Sequence, residues 1–204
     1  MKKTHPLILA SFLAALSGFA ELYDDTYLVF ASSLGLSLGD ISSCVVSLGD
    51  NLFDVGTEWI GINGISSNRV ISVSGPDMTD EEVIRVVKVE SVICGTGERG
   101  TVFLREYAAS TNAFQRMILS YVGNSMPTDL SLSRCEKFVE IPDCGILRYP
   151  VGLQHTDANI VSLSVVRGNI LLTTWGFSGS NHVQVALSSL NRAFGSSSLP
   201  NEHE

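Results

Sequence analysis

Ile160–Val166 and Asn169–Trp175 are two runs of β-branched and apolar residues that meet at Arg167-Gly168-Asn169. A connection this short cannot carry a parallel crossover, which needs a dozen residues or more, so the two strands must be antiparallel. Thr101–Tyr107 is a strand candidate of the same kind, and Gly95-Thr96-Gly97-Glu98-Arg99-Gly100 turns the chain into it. The alternating residues before Cys94 supply its partner. Two brief connections of this type commit the chain to a mostly antiparallel sheet.

Further strand candidates are Tyr27–Ala31, Ile41–Leu48, Glu58–Ile62, Arg69–Ser74 and Gly145–Tyr149, separated by Gly, Asn, Asp and Pro turns. Thr79 and Glu82 have capping-box spacing, but the residues after them alternate as a strand does. Two segments carry helical periodicity instead. Phe114, Met117, Ile118, Tyr121 and Val122 make a stripe over 111–122, with Ser110 before it and Gly123-Asn124 after. Val183, Ala186, Leu187, Leu190 and Phe194 make a second over 182–194, bounded by Asn181 and Gly195. The expected fold is therefore α+β: an antiparallel sheet with two amphipathic helices on one face. Each helix follows a strand, which raises the idea of an internal duplication.

The chain opens Met1-Lys2-Lys3, continues with the apolar Leu7–Leu16, and reaches Ser17-Gly18-Phe19-Ala20. A basic start, a short apolar stretch and small residues at −3 and −1 fit a signal peptide cut after Ala20. The apolar stretch falls short of the ~20 residues that span a bilayer. Residues 1–20 are thus expected to be a signal peptide, 21–195 one exported domain, and 196–204 a polar tail. The destination is the periplasm or the extracellular space, with no transmembrane segment after cleavage. The part beyond Ala20 holds 11 Lys and Arg against 21 Asp and Glu, a balance that repels a phosphate backbone and argues against nucleic acid as a partner.

All four cysteines, Cys44, Cys94, Cys135 and Cys144, lie beyond Ala20. An even count in an exported chain reads as two disulfides. Pro142-Asp143 makes a turn between Cys135 and Cys144, so the preferred pairing is Cys135 with Cys144 and Cys44 with Cys94. No Cys-x-x-Cys occurs, and no metal or other cofactor is expected.

Three motifs carry the spelling of chemistry. Gly95–Gly100 has dinucleotide-loop spacing, but that site needs a helix directly after the last glycine, and Thr-Val-Phe-Leu-Arg-Glu-Tyr reads as a strand. A kinase loop does join strands, yet the next lysine is Lys137 and neither His-Arg-Asp nor Asp-Phe-Gly occurs. Ser178, in Trp175-Gly176-Phe177-Ser178-Gly179-Ser180, lies between a strand and a helix as a nucleophile elbow does. The residues after it offer only His182, His203, Glu202 and Glu204 as partners. His155 and Asp157, two apart, would share a face of a strand and suit an acid–base pair. Trp175 and Phe177, flanking Gly176, are the candidate ligand contacts: aromatic rings at a loop mouth stack on a sugar or pack on a protein.

No complete catalytic set emerges. The function expected is a non-enzymatic binding module of the cell envelope or extracellular space, its partner a protein or a small apolar ligand. The competing expectation is a secreted hydrolase using Ser178 or His155 with Asp157.

Overall fold

A computed structural model describes residues 29–49, 52–76, 82–123, 135–138, 144–150, 152–154 and 156–195. The expected signal peptide, the polar tail, Thr79 and His155 lie outside the described residues. The fold is α+β. Its strands are β1 (Glu58–Ile60), β2 (Ser66–Ser74), β3 (Val83–Ile93), β4 (Arg99–Tyr107), β5 (Cys135–Phe138), β6 (Cys144–Arg148), β7 (Ser162–Arg167) and β8 (Ile170–Trp175). They form one sheet in the order β1-β2-β3-β4-β8-β7-β6-β5, and every neighbouring pair is antiparallel. Helical residues 29–33 (α1), Ser110–Gly123 (α2) and Asn181–Phe194 (α3) complete it.

Both short hairpins form as their turns require. Val92 pairs with Arg99 across the glycine loop, Gly97 taking a φ of 70°. Arg167 pairs with Ile170 across Gly168, whose φ is 53°. Left-handed backbone of this kind is why glycine stands at both turns.

The two helices do not share a face. Val165, Ile170 and Leu172 pack in one core with Val185, Ala186, Leu190 and Ala193 of α3. Val166 and Leu171 pack in a second core with Ala113, Phe114, Met117, Ile118 and Tyr121 of α2. Consecutive strand residues point to opposite faces, so α2 and α3 sandwich the sheet. Helical periodicity shows that a stripe is apolar, not which side of a sheet it will cover. Burial on both faces explains why all six residues of β7 are buried, unlike a strand with one wet side.

The order β-β-β-β-α occurs twice, yet the halves are not copies in space. β4 and β8 are antiparallel neighbours at the join. A rotation exchanging them must be a two-fold perpendicular to the sheet, which would leave both helices on one face. Their placement on opposite faces excludes that superposition.

Two strand expectations fail. Residues 29–33 are helical, with Ala31 packed under α2, so Tyr27–Ala31 is no strand in its described part. Ile41–Leu48 forms no strand and does not join the sheet. It is tied down instead by Asn169, which accepts the Val46 N–H and donates to the Val46 and Tyr107 carbonyls at 2.8–2.9 Å.

The expected disulfide pairing is also overturned, and no disulfide joins the cysteines in the structure. Cys135 lies opposite Arg148 in the β5–β6 pairing, and Cys144 is at the far end of β6. Four residues of strand separate them by ~13 Å, whereas a disulfide needs Cα atoms within ~7 Å. Cys44 rests its carbonyl against Gly168 in the β7–β8 turn, while Cys94 follows β3 at the opposite end of the sheet and bonds Ile65. The turn Pro142-Asp143 had suggested proximity, but the strand register carries its flanking cysteines apart.

Candidate functional site

The glycine loop and the serine loop meet. Glu98, from the β3–β4 hairpin, accepts the Ser178 N–H at 2.6 Å and the Asn181 side-chain amide at 2.5 Å. Partial burial opposes ionisation of this carboxyl, but the hydrogen bonds from Ser178 and Asn181 and the nearby His182 outweigh it, and its pKa lies below the ordinary glutamate value. Ser180, next to the helix start, makes no side-chain cap. The glycine loop therefore presents a carboxylate that steadies the entry to α3. Nothing in its own sequence pattern pointed at residues 80 positions away.

Among the described residues, no histidine stands on Ser178 as a general base would. His182 is fully buried, and its Nδ1 lies 2.7 Å from Thr174 Oγ1 rather than on Ser178. Burial pushes its pKa below the ordinary histidine range, against the nearby carbonyls of Phe177 and Ile160 and the charge of Glu98, which favour protonation. Its Nε2 has no hydrogen-bond partner among the described residues. The acid stands on the serine instead of behind the histidine, an inversion of the order that a Ser-His-acid relay requires. Asp157 begins an exposed turn, Asp157–Asn159, and His155 lies outside the described residues. Among the described residues no cluster of His, Cys, Asp and Glu could hold a metal ion, and no helix is long and apolar enough to cross a membrane.

The two aromatic candidates part company. Phe177 is buried, edge-on to His182 at 5.7 Å between ring centroids, and its ring fills the space above Gly100. Trp175 is 42% exposed. It stands on the face of the sheet that carries α2, because it pairs with Thr101 and with Ser162 rather than with the residues of the α3 core.

That face is only half covered. α2 packs on β4, β7 and β8, and the outer part toward β1 stays open. Residues paired across strands share a face, so Glu58, Arg69, Glu90, Thr101 and Trp175 form one row across it. Lys88, Phe103 and Thr173 form the next row. Arg99 and Arg105 flank these rows along β4, two residues beyond Thr101 and Phe103. All of these residues are partly or fully exposed. Lys88 Nζ and the Arg105 guanidinium each lie 5.6 Å from the centre of the Phe103 ring, and Arg69 meets Glu58 at 3.6 Å. Four cations thus face two carboxylates here, while the rest of the chain carries nine cations against nineteen acids. Sequence reading missed this patch because its residues come from five strands, and only register brings them together.

Comparisons with protein-family models, with curated proteins and with solved structures find no match in any of the three.

Proposed function

We propose that the protein is a non-enzymatic binding module that is exported and works in the envelope or extracellular space, and that it holds its partner on the open half of the sheet. The observation that carries this reading is Trp175, an indole left 42% exposed on an open face that also presents four cations and two carboxylates. A tryptophan placed this way offers large contact area at low entropic cost, the pattern of a recognition hot spot. The buried state of His182 supports it further, since its ring meets Thr174 rather than Ser178. Export is proposed from the N-terminal pattern alone; the cysteines lend it no support.

Three measurements test this reading. Cell fractionation, with the mature N-terminus identified by mass spectrometry, is expected to find the protein outside the cytoplasm and beginning at Glu21. Ester and amide hydrolysis should be no faster with wild type than with Ser178→Ala. Hydrogen exchange with an envelope extract should slow on β2–β4 and β8 in wild type and not in Trp175→Ala. Hydrolysis lost in Ser178→Ala would overturn the reading.

A further inference from the structure

Resting on that reading, we propose that the open half-face binds an anionic polysaccharide, with Trp175 stacking on a sugar ring while Arg69, Lys88, Arg99 and Arg105 engage its carboxylates. The geometry suits an extended, flat ligand. Neighbouring strands are ~4.8 Å apart, so the row from Arg69 through Glu90 and Thr101 to Trp175 spans roughly 14 Å. Lys88 and Phe103 lie directly beside that row, and Arg105 steps off it along β4.

The mixture of groups selects among anionic partners. Arginine matches a carboxylate bidentately, and lysine adds a point charge. Glu90 lies in the middle of the row, between Arg69 and Thr101. Against a phosphodiester chain it would repel at the centre of the contact. Against a uronic acid polymer it has a role, because a carboxylate accepts hydrogen bonds from sugar hydroxyls while the cations take the sugar carboxylates. Glu58 and the hydroxyls of Thr101 and Thr173 extend the same polar set. An acidic peptide would satisfy the cations but has no pyranose ring for the indole. An apolar helix finds too little to bury, since Ile60 at β1 and Trp175 on β8 are held apart by the three strands β2, β3 and β4.

The test uses the full chain, titrated by calorimetry with polygalacturonate, neutral dextran, poly-glutamate and single-stranded oligo-dT. Polygalacturonate is expected to bind, with dextran weaker by at least about tenfold and added salt weakening the complex. Trp175→Ala, and separately the pair Lys88→Gln with Arg69→Gln, should each weaken it roughly tenfold without moving the thermal midpoint by more than a few degrees. Glu90→Gln should weaken polygalacturonate and, by removing the central repulsion, let oligo-dT bind more tightly than it does to wild type. Tighter binding of poly-glutamate or oligo-dT that Trp175→Ala abolishes would overturn the ligand class and leave the binding face standing. If Trp175→Ala and the paired variant change binding of no probe, the polysaccharide assignment falls, and the hydrogen-exchange experiment with envelope extract then judges the face separately.

Discussion

Glu98 Oε1 accepts the backbone N–H of Ser178 at 2.6 Å, joining a hairpin turn to a helix entry 80 residues away. The same carboxylate takes the Asn181 amide. Two motifs that spell nucleotide binding and serine catalysis thereby become a single structural clamp. Glu98→Ala should destabilise the protein by about 1 kcal/mol, the surface setting discounting what a charged hydrogen bond contributes in a core. Since the folded pKa of Glu98 is depressed, its contribution is present above the ordinary glutamate value and is lost as the pH falls through the folded one. Urea unfolding of both proteins at neutral pH and near pH 4 checks this: the difference between them should shrink in acid.

Gly100 is fixed by crowding, not by its φ. A Cβ there would stand 2.5 Å from the Phe177 ring and 2.5 Å from the Trp175 carbonyl. The carbonyl belongs to β8 and cannot step aside, so Gly100→Ala should cost roughly 1–3 kcal/mol. Gly95→Ala, with nothing within 4 Å of its Cβ, is the matched control and should stay close to wild type. Thermal unfolding of the pair separates a packing role from a loop requirement, which a nucleotide site would impose on both glycines.

What was legible in the sequence was local. Arg167-Gly168-Asn169 and Gly95–Gly100 announce hairpins because turn chemistry is written in the turn itself. The stripes of α2 and α3 announce helices because periodicity needs only one segment. The failures are long-range. Tyr27–Ala31 looks like a strand by composition, yet its described end is helical and Ala31 packs in the α2 core. β5 was missed because Cys135–Phe138 is four residues long and two of them are charged. The open half-face depends on the parity of Arg69, Lys88 and Trp175 on three different strands, which no single segment records.

Asn169 shows how much one turn residue can hold. It is 1% exposed, and its amide makes three hydrogen bonds, to both backbone groups of Val46 and to the Tyr107 carbonyl. Asn169→Ala would leave these backbone groups without that partner at a buried site. The expected loss is about 2–4 kcal/mol, more than a surface turn residue would give. Hydrogen exchange should show the loss locally as faster exchange at Val46.

Cys44 and Cys94 are exposed and sit at opposite ends of the sheet. Both should be alkylated in the native protein without reductant, as read by intact mass and peptide mapping. Protection of both until a reductant is added would mean that the register described above is wrong between them.

His182 should make the fold sensitive to mild acid. The ring is fully buried, held to Thr174 at 2.7 Å, and burial keeps its pKa below the ordinary histidine value. The unfolded chain, with a histidine near ~6.5, therefore binds more protons than the folded one as the pH drops below that value. Stability is full above the unfolded pKa and falls as the pH descends toward the folded one. Carboxylates such as Glu98 contribute slopes of their own at lower pH, so the comparison must be with a variant. His182→Gln can keep a polar contact to Thr174 and cannot titrate. Urea midpoints taken between pH 7.5 and 5.5 should fall for wild type and hold nearly level for His182→Gln. Parallel slopes for the two proteins would show that His182 titrates alike in the folded and unfolded chains, which a ring sealed between α3 and the sheet cannot do.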